Sequence, residues 1–298
     1  MVSVLTALVC LMYSCTSTPI SYSNEVLYVD FENLQPPIEV VDDISIITWN
    51  IQFGFPDSIE VFSVGSIGGS HAHLDNLCQA IKSVNPTIVG LQEVAINLDK
   101  SIVQNQAQYL AECLNMNYAV GQYSSYLNAR EPFIRGKKCL TILTKYRIEE
   151  ISNTEIYSNQ PDDRRTVLST KLADGAGTTI TALNIHISSK STLVDINNQI
   201  DACKSIYTEQ SEPSILLGDF NLWHTTPQMQ NLKQSGLSIL AEFEGQDCTF
   251  ETTQHGSFID HILIDSSAFM VQNYCLLDSQ YWHLSDHKGV MGIVKLKK

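Results

Sequence analysis

Ser214-Ile-Leu-Leu-Gly-Asp-Phe-Asn221 joins a short apolar run to an acid and an amide two positions apart. The first four residues read as a buried strand, so Asp219 and Asn221 leave the end of an apolar element. Gly, Asp and Asn are also ordinary turn residues whose side chains bond their own backbone. Taken alone the octapeptide fits a plain turn, and its surroundings have to decide.

Working outward, the same arrangement recurs. ISIITWNIQ (44–52) is a β-branched apolar run reaching Asn50, and TIVGLQEV (87–94) is another, reaching Glu93. Between them Leu74, Leu77, Ile81 and Val84 fall at helical spacing, with Ser70 as cap and Pro86 after the end. TTITALNIHIS (178–188) is a strand reaching His186, and Val194–Tyr207 reads as the helix that returns the chain to SILLGDFN. Two strand–helix–strand units thus deliver polar residues at strand ends, where open α/β layers place their sites. Further on, GSFIDHILID carries Asp260 inside an apolar strand, where a lone carboxylate is costly unless paired. LSDHKGVMGIVKL sets Asp286 and His287 just before a final strand. Six separate segments converge on one kind of residue at one kind of position, which a chance turn does not explain.

Composition sets the bounds. The chain has 298 residues, 44% hydrophobic and 17% charged, enough for one large domain with a sizeable core. Its net charge of −14 argues against holding nucleic acid by a general basic surface. Nine of the 18 basic residues nevertheless lie between Arg130 and Lys171, against six acids there, either a local attraction for phosphate or a solvated surface. Residues 1–24 carry no charge and include the apolar run Val4–Met12, too short to span a membrane. They read as an export signal, and Leu11-Met12-Tyr13-Ser14-Cys15 resembles a bacterial lipoprotein box. The expected organisation is a leader at 1–24, a linker at 25–43 and one domain at 44–298. The protein is expected to be exported, either secreted or held in the cell envelope through a lipidated Cys15. Of eight cysteines, six are scattered singly beyond the leader, without CxxC or Cys/His clusters. That spacing argues against structural zinc and leaves disulfides and buried thiols both open.

The ordered set TWNIQ, LQEV, NIHIS, GDFN, IDHIL and SDHKGV resembles the endonuclease/exonuclease/phosphatase superfamily, over roughly Ser45 to Lys295. That superfamily includes pancreatic-type deoxyribonucleases, abasic-site endonucleases, deadenylases, inositol polyphosphate 5-phosphatases and neutral sphingomyelinases. The resemblance implies an α/β fold, a four-layered α/β/β/α sandwich with two packed mixed sheets. It also implies metal-dependent attack of water on a phosphate ester.

Such a reaction needs a cation, donors for the developing oxyanion and a base that aims the water. Asn50, Glu93 and Asp286 offer hard oxygen ligands, which suit Mg²⁺ or Mn²⁺ better than zinc. By resemblance Glu93 is the main metal ligand, assisted by Asn50 and Asp286. Asp219 orients or deprotonates the water, and Asn221 holds a phosphate oxygen. His186 and His287 donate to the phosphate, His287 oriented by Asp260, a pairing that fixes the tautomer and favours the charged ring. Arg165 or its neighbour Arg164 stands where some nucleases of the superfamily contact phosphate.

Other residues have more ordinary readings. His71 and His73 form an HxH pair in a Gly/Ser-rich stretch and read as a surface loop before a helix. His224, His255 and His283 read as solvated loop histidines. Trp223 and Trp282 fit ring stacking and plain packing equally. The segment SFIDHIL lacks the Pro-Ala-Trp-x-Asp-Arg run of the 5-phosphatases, which argues against inositol phosphates. Phosphodiesters remain, nucleic acid foremost, with phospholipid or sugar-phosphate esters as the alternative and a non-catalytic binding domain as the remote one. A monomer is expected.

Overall fold

A strand that is apolar on both faces needs a layer on each side, and several strands here alternate between two separate cores. The computed structural model describes residues 29–34, 43–57, 68–125, 136–157, 164–189, 191–240, 249–251 and 256–297. The leader with Cys15 lies outside these residues, as do Cys248 and His255. In chain order the elements are β1 (Val29–Glu32), β2 (Asp43–Asn50), α1 (His71–Ser83), β3 (Ile88–Ile96), α2 (Gln106–Leu114), β4 (Asn117–Ser125) and β5 (Lys137–Thr144). They continue with β6 (Arg147–Ile156), β7 (Arg165–Ala173), β8 (Thr179–His186), α3 (Leu193–Thr208), β9 (Ser214–Asp219), α4 (Pro227–Lys233) and β10 (Leu237–Ile239). The last are β11 (Phe250–Glu251), β12 (Gly256–Ser257), β13 (Asp260–Asp265), β14 (Phe269–Leu276) and β15 (Val290–Leu296).

Seven strands form one sheet in the order β1-β4-β5-β3-β2-β15-β14, and six form a second in the order β10-β13-β9-β8-β7-β6. Both are mixed: β2 and β3 run parallel, as do β8 and β9, while their other neighbours are antiparallel. On β2, Ile47 and Trp49 join the core under α1 and α2, whereas Ile44 and Ile46 face the second sheet. On β9, Ile215 and Leu217 enter the inter-sheet core and Leu216 packs toward α3. The result is the expected four-layered sandwich, helices outside and two sheets within. The stretch 25–43, expected as linker, contributes β1, which pairs with β4 from Val29↔Gly121 to Glu32↔Tyr118.

Local signals act where the sequence placed them. The Ser70 side chain accepts from His73 N and caps α1, and Thr192 with Asp195 forms a capping box on α3. Cys78 on α1 bonds Cys113 on α2 across 35 residues, while Cys139 and Cys203 are buried free thiols. Both open readings of the cysteines are therefore used.

Gly218, just before Asp219, has φ +148, and a Cβ there would lie 2.1 Å from the carbonyl oxygen of Ile185 on β8. No side chain fits so close to backbone, so the glycine of Gly-Asp-Phe-Asn is what lets β9 approach β8 at the site. Gly218→Ala should cost about 1–3 kcal/mol from backbone strain alone, with the clash in addition, read as a lowered midpoint of thermal unfolding. An unchanged midpoint would refute this account of the glycine.

Candidate active site

Register brings the polar residues together. His186 is the Cα partner of Asp219, and Asp219 of Asp260, so β8, β9 and β13 set three functional groups side by side at one edge of the second sheet. In the facing sheet β2 ends at Asn50, level with Gln92 on β3, and β15 begins just after Asp286 and His287. A polar bridge fixes the two edges beneath the site. Gln92 Nε2 donates to Asn184 Oδ1 (2.7 Å), and Asn184 Nδ2 donates to the carbonyls of Leu91 and Thr141 (both 2.9 Å). Buried amides bonded to one another in this way favour one alignment of the sheets.

Glu93 owes its placement to a bulge. The β3–β5 register shifts between Leu91 and Val94, and Glu93 has φ 54. A non-glycine residue in the left-handed region is strained, and a bulge re-aims a side chain near a site. Asn221, with φ 51, also takes the left-handed region beyond the end of β9, which asparagine tolerates better than glutamate.

Asp219 is the hub. Its Oδ1 accepts from Asn221 N (2.9 Å) and its Oδ2 from Asn50 Nδ2 (3.1 Å). The same Oδ2 lies 3.4 Å from His186 Nε2 and 3.7 Å from His287 Nε2. Burial raises the pKa of Asp219, and the neighbouring Asp260 carboxylate raises it further. His287 Nδ1 lies 2.9 Å from Asp260 Oδ2. Burial works against the charged ring of His287, but Asp260 and Asp219 outweigh it and lift the pKa above that of an ordinary histidine. His186 goes the other way: burial, with Arg165 and His287 nearby, lowers its pKa well below the usual value and keeps it neutral. The two rings that flank the same carboxylate oxygen are thus biased oppositely, His287 toward its charged form and His186 toward its neutral one.

Backbone contacts hold His287 in place. Trp49 Nε1 donates to its carbonyl (2.8 Å), its N–H donates to Ser285 Oγ (3.3 Å), and Ser285 Oγ donates to the Asn50 carbonyl (2.7 Å). The Phe250 ring packs on the imidazole with centroids 4.7 Å apart, and Thr249 Oγ1 accepts from Asp260 N (3.2 Å). Asn221 Nδ2 donates to Ile187 O (2.9 Å), which leaves its Oδ1 and second amide hydrogen for other partners.

The hard-oxygen set is compatible with a divalent cation. Burial raises the pKa of Glu93, and Lys138 counters this while Asp286 adds to it. Burial likewise raises Asp286. Two carboxylates that resist ionising near one another are what a cation relieves. Asn50 Oδ1 accepts from Gln52 N (3.1 Å) and keeps a second lone pair. Asp219, Asp260 and His287 also offer three ligand atoms within 4.8 Å of one another. His287 Nδ1 is already engaged by Asp260, so that trio is better described as a hydrogen-bonded relay than as a metal cage.

Strand alternation separates the two arginines. Arg165 is 9% exposed and its Nη1 donates to His186 O (3.3 Å), whereas Arg164 pairs at the surface with Glu155. Trp282 is pinned through Nε1 to Leu277 O (2.9 Å) beneath the Lys288 ammonium, while Trp223 is 47% exposed. His71 and His73, expected in a loop, form the first turn of α1, because the Ser70 cap starts the helix before them. The one His/carboxylate cluster with metal-ligand spacing among the described residues includes neither. Thr249 and Phe250 belong to a Thr-Phe pair that resembles other family members, and reading by motif missed Ser285 and Tyr123. Ser285 sits beside Asp286 in a quoted motif and was within reach of sequence reasoning. Tyr123 carries no local signal.

The sequence model of the Endonuclease/Exonuclease/phosphatase family matches residues 47–287. No curated protein matches the chain. Among solved structures, an endonuclease/exonuclease/phosphatase from Beutenbergia cavernae superposes with TM-score 0.70 at 17% identity, over 86% of this chain and 72% of that one. The catalytic domain of human Nocturnin superposes at 0.63 with 17% identity, over 90% and 97%. A mannosyl-6-phosphatase from Bacteroides thetaiotaomicron does so at 0.60 with 17% identity, over 86% and 100%. At such identities these structures establish the shared fold and leave the substrate open. With the family match spanning most of the domain, the chain belongs to the endonuclease/exonuclease/phosphatase family, whose members hydrolyse phosphoester bonds.

Proposed function

We propose that the protein hydrolyses phosphodiesters, nucleic acid foremost, by water activated at Asp219. The observation that carries the water-activating role is the placement of one Asp219 oxygen 3.4 Å and 3.7 Å from two imidazole nitrogens, with its other oxygen held by Asn221 N. Asp219 takes a proton from the attacking water, whose oxygen bonds to phosphorus as the bond to the leaving ester oxygen breaks, and that oxygen takes up a proton from solvent. His287, kept charged by Asp260, and neutral His186 donate to the phosphate oxygens as negative charge grows on them. Arg165 supplies a fixed positive charge on the second sheet, and Asn221 holds a further phosphate oxygen. Glu93 is the main ligand for Mg²⁺ or Mn²⁺, with Asn50 and Asp286 completing the set. Bound there, the cation would act as a Lewis acid on the phosphate.

Hydrolysis assays with DNA, RNA, sphingomyelin, phosphatidylinositol and sugar phosphates, each with Mg²⁺ and with Mn²⁺, test the substrate. Turnover of nucleic acid above the other esters is the expected result. Preference for sphingomyelin or a sugar phosphate would replace that substrate class and keep the chemistry. Inactivity on every ester would sink the proposal.

The protein acts outside the cytosol, anchored through Cys15. The Cys78–Cys113 bond supports the compartment and not the anchor, since disulfides persist in oxidising compartments. Cys15→Ala should move the protein from the membrane to the soluble fraction without changing its specific activity. Native protein found in the cytosol with Met1 intact would defeat the assignment.

A further inference from the structure

Ring stacking and plain packing stay open for Trp223 and Trp282 in the sequence, and the structure separates them. Trp282 is held through its indole N–H and lies under the Lys288 ammonium. Trp49, the third tryptophan of the chain, is buried and gives its N–H to the His287 carbonyl. Trp223 is 47% exposed, so packing does not account for it.

Trp223 stands two residues after Asn221, on the loop that leaves β9 at the site. That loop is fixed on both sides of the indole. Asn221 Nδ2 donates to Ile187 O just beyond β8 (2.9 Å), and His261 Nε2 on β13 donates to Leu222 O (2.8 Å). Thr226 donates to Trp223 O from its N–H (3.0 Å) and from its hydroxyl (2.9 Å). A large ring presented from a fixed backbone gives contact area at little cost in conformational freedom. Residues 221–230 include no Lys, Arg, Asp or Glu, so what this loop offers a substrate is not an ion pair.

An uncharged planar face two residues from a phosphate-holding amide fits a nucleobase, since every base has a π-face. In a duplex those faces are already covered by the neighbouring pairs. Duplex binding also draws on a general basic surface, which a net charge of −14 does not supply. An acyl chain is the other apolar occupant, and Leu193 and Val194 at the start of α3 are exposed as well. The polar run His224-Thr225-Thr226 follows the indole directly, and it breaks the apolar cover that an acyl chain needs.

We infer that Trp223 stacks on an unpaired nucleobase next to the phosphate held at Asn221, which makes single-stranded nucleic acid the preferred substrate. The inference deepens the proposed phosphodiester hydrolysis and rests on it.

The test reads binding apart from turnover, on full-length Asp219→Asn protein with Mg²⁺, in which the amide oxygen still accepts from Asn221 N. The probes are a fluorescein-labelled oligothymidylate and its duplex with oligoadenylate, followed by anisotropy. Trp223→Ala should weaken binding of the single strand about 5–150-fold, the range for one base–aromatic stack, and leave duplex binding unchanged. Trp223→Phe, which keeps a ring, should recover most of that loss. With Asp219 intact, Trp223→Ala should raise KM for the single strand by a similar factor with a smaller change in kcat, because the stacked base takes no part in the reaction. Leu193→Ser, on the neighbouring loop, should alter neither binding nor KM. Three outcomes overturn the inference: unchanged single-strand binding in Trp223→Ala, an equal loss for the duplex, or Phe as poor as Ala. Binding to phosphatidylcholine vesicles that falls in both Trp223→Ala and Leu193→Ser, with oligothymidylate binding untouched, would put an acyl chain in place of the base. Anisotropy needs no turnover, so a protein that stacks the single strand through Trp223 and hydrolyses no ester would refute the proposed activity and leave the stacking standing. Hydrolysis of nucleic acid that is indifferent to Trp223 would do the reverse.

Discussion

Excess chelator should bring turnover to background, and Mg²⁺ or Mn²⁺ should restore it. The residues at the proposed centre are hard oxygen donors, and the pKa values of Glu93 and Asp286 are both raised by burial. Without a cation the carboxylates of Glu93 and Asp286 repel a phosphate diester. Zn²⁺ should substitute poorly, since neither a thiolate nor an imidazole belongs to the proposed set of Asn50, Glu93 and Asp286. Glu93→Gln should raise the concentration of Mg²⁺ needed for half-maximal rate, because it keeps the shape and removes a charge. Full turnover in chelator would reject the mechanism, whatever the substrate.

The second large effect belongs to the pair at the end of β13. His287→Ala should lower turnover about 10²–10⁴-fold, the range for a positioned proton donor. Asp260→Asn should lower it as well while keeping the side-chain shape, because the amide cannot support a charged ring. The 2.9 Å contact between Asp260 and His287 Nδ1 makes the two a unit, and groups that act as a unit do not add. The double variant should therefore be little worse than His287→Ala alone. Multiplying losses, or a fully active Asp260→Asn, would assign Asp260 to the fold and not to the chemistry. Thermal unfolding of each variant separates the two cases, because a buried carboxylate kept only for structure would reveal itself in stability and not in rate.

Much of this site is legible along the chain. Local strand and helix patterns locate Asn50, His186, Asp219, Asp260 and His287 at or beside strand ends, because hydrophobic periodicity stops where a polar group must leave the core, whereas Glu93, expected at the end of its strand, lies inside β3 at a bulge. The helix starts at Ser70 and Thr192 are equally local, being settled by side chains that bond backbone a few residues away.

Tertiary structure alone decided which strand ends meet. Asp260 and His287 are 27 residues apart, and Asn50 and Asp219 are 169 apart. Their contact depends on β15 pairing with β2 and on two sheets aligned through Gln92 and Asn184, choices made by long-range packing that no short window records. The strand inside the expected linker, the Cys78–Cys113 partnership and the two bulges that aim Glu93 and Tyr123 are of the same kind. A bulge is an unpaired residue between two strands, so it exists only once the partner strand is in register. Sequence determined which groups this protein can use, because residue type and local period are written along the chain. Where those groups point was left to the pairing of strands far apart in it, since a side chain's direction in a sheet is set by its register with its neighbours.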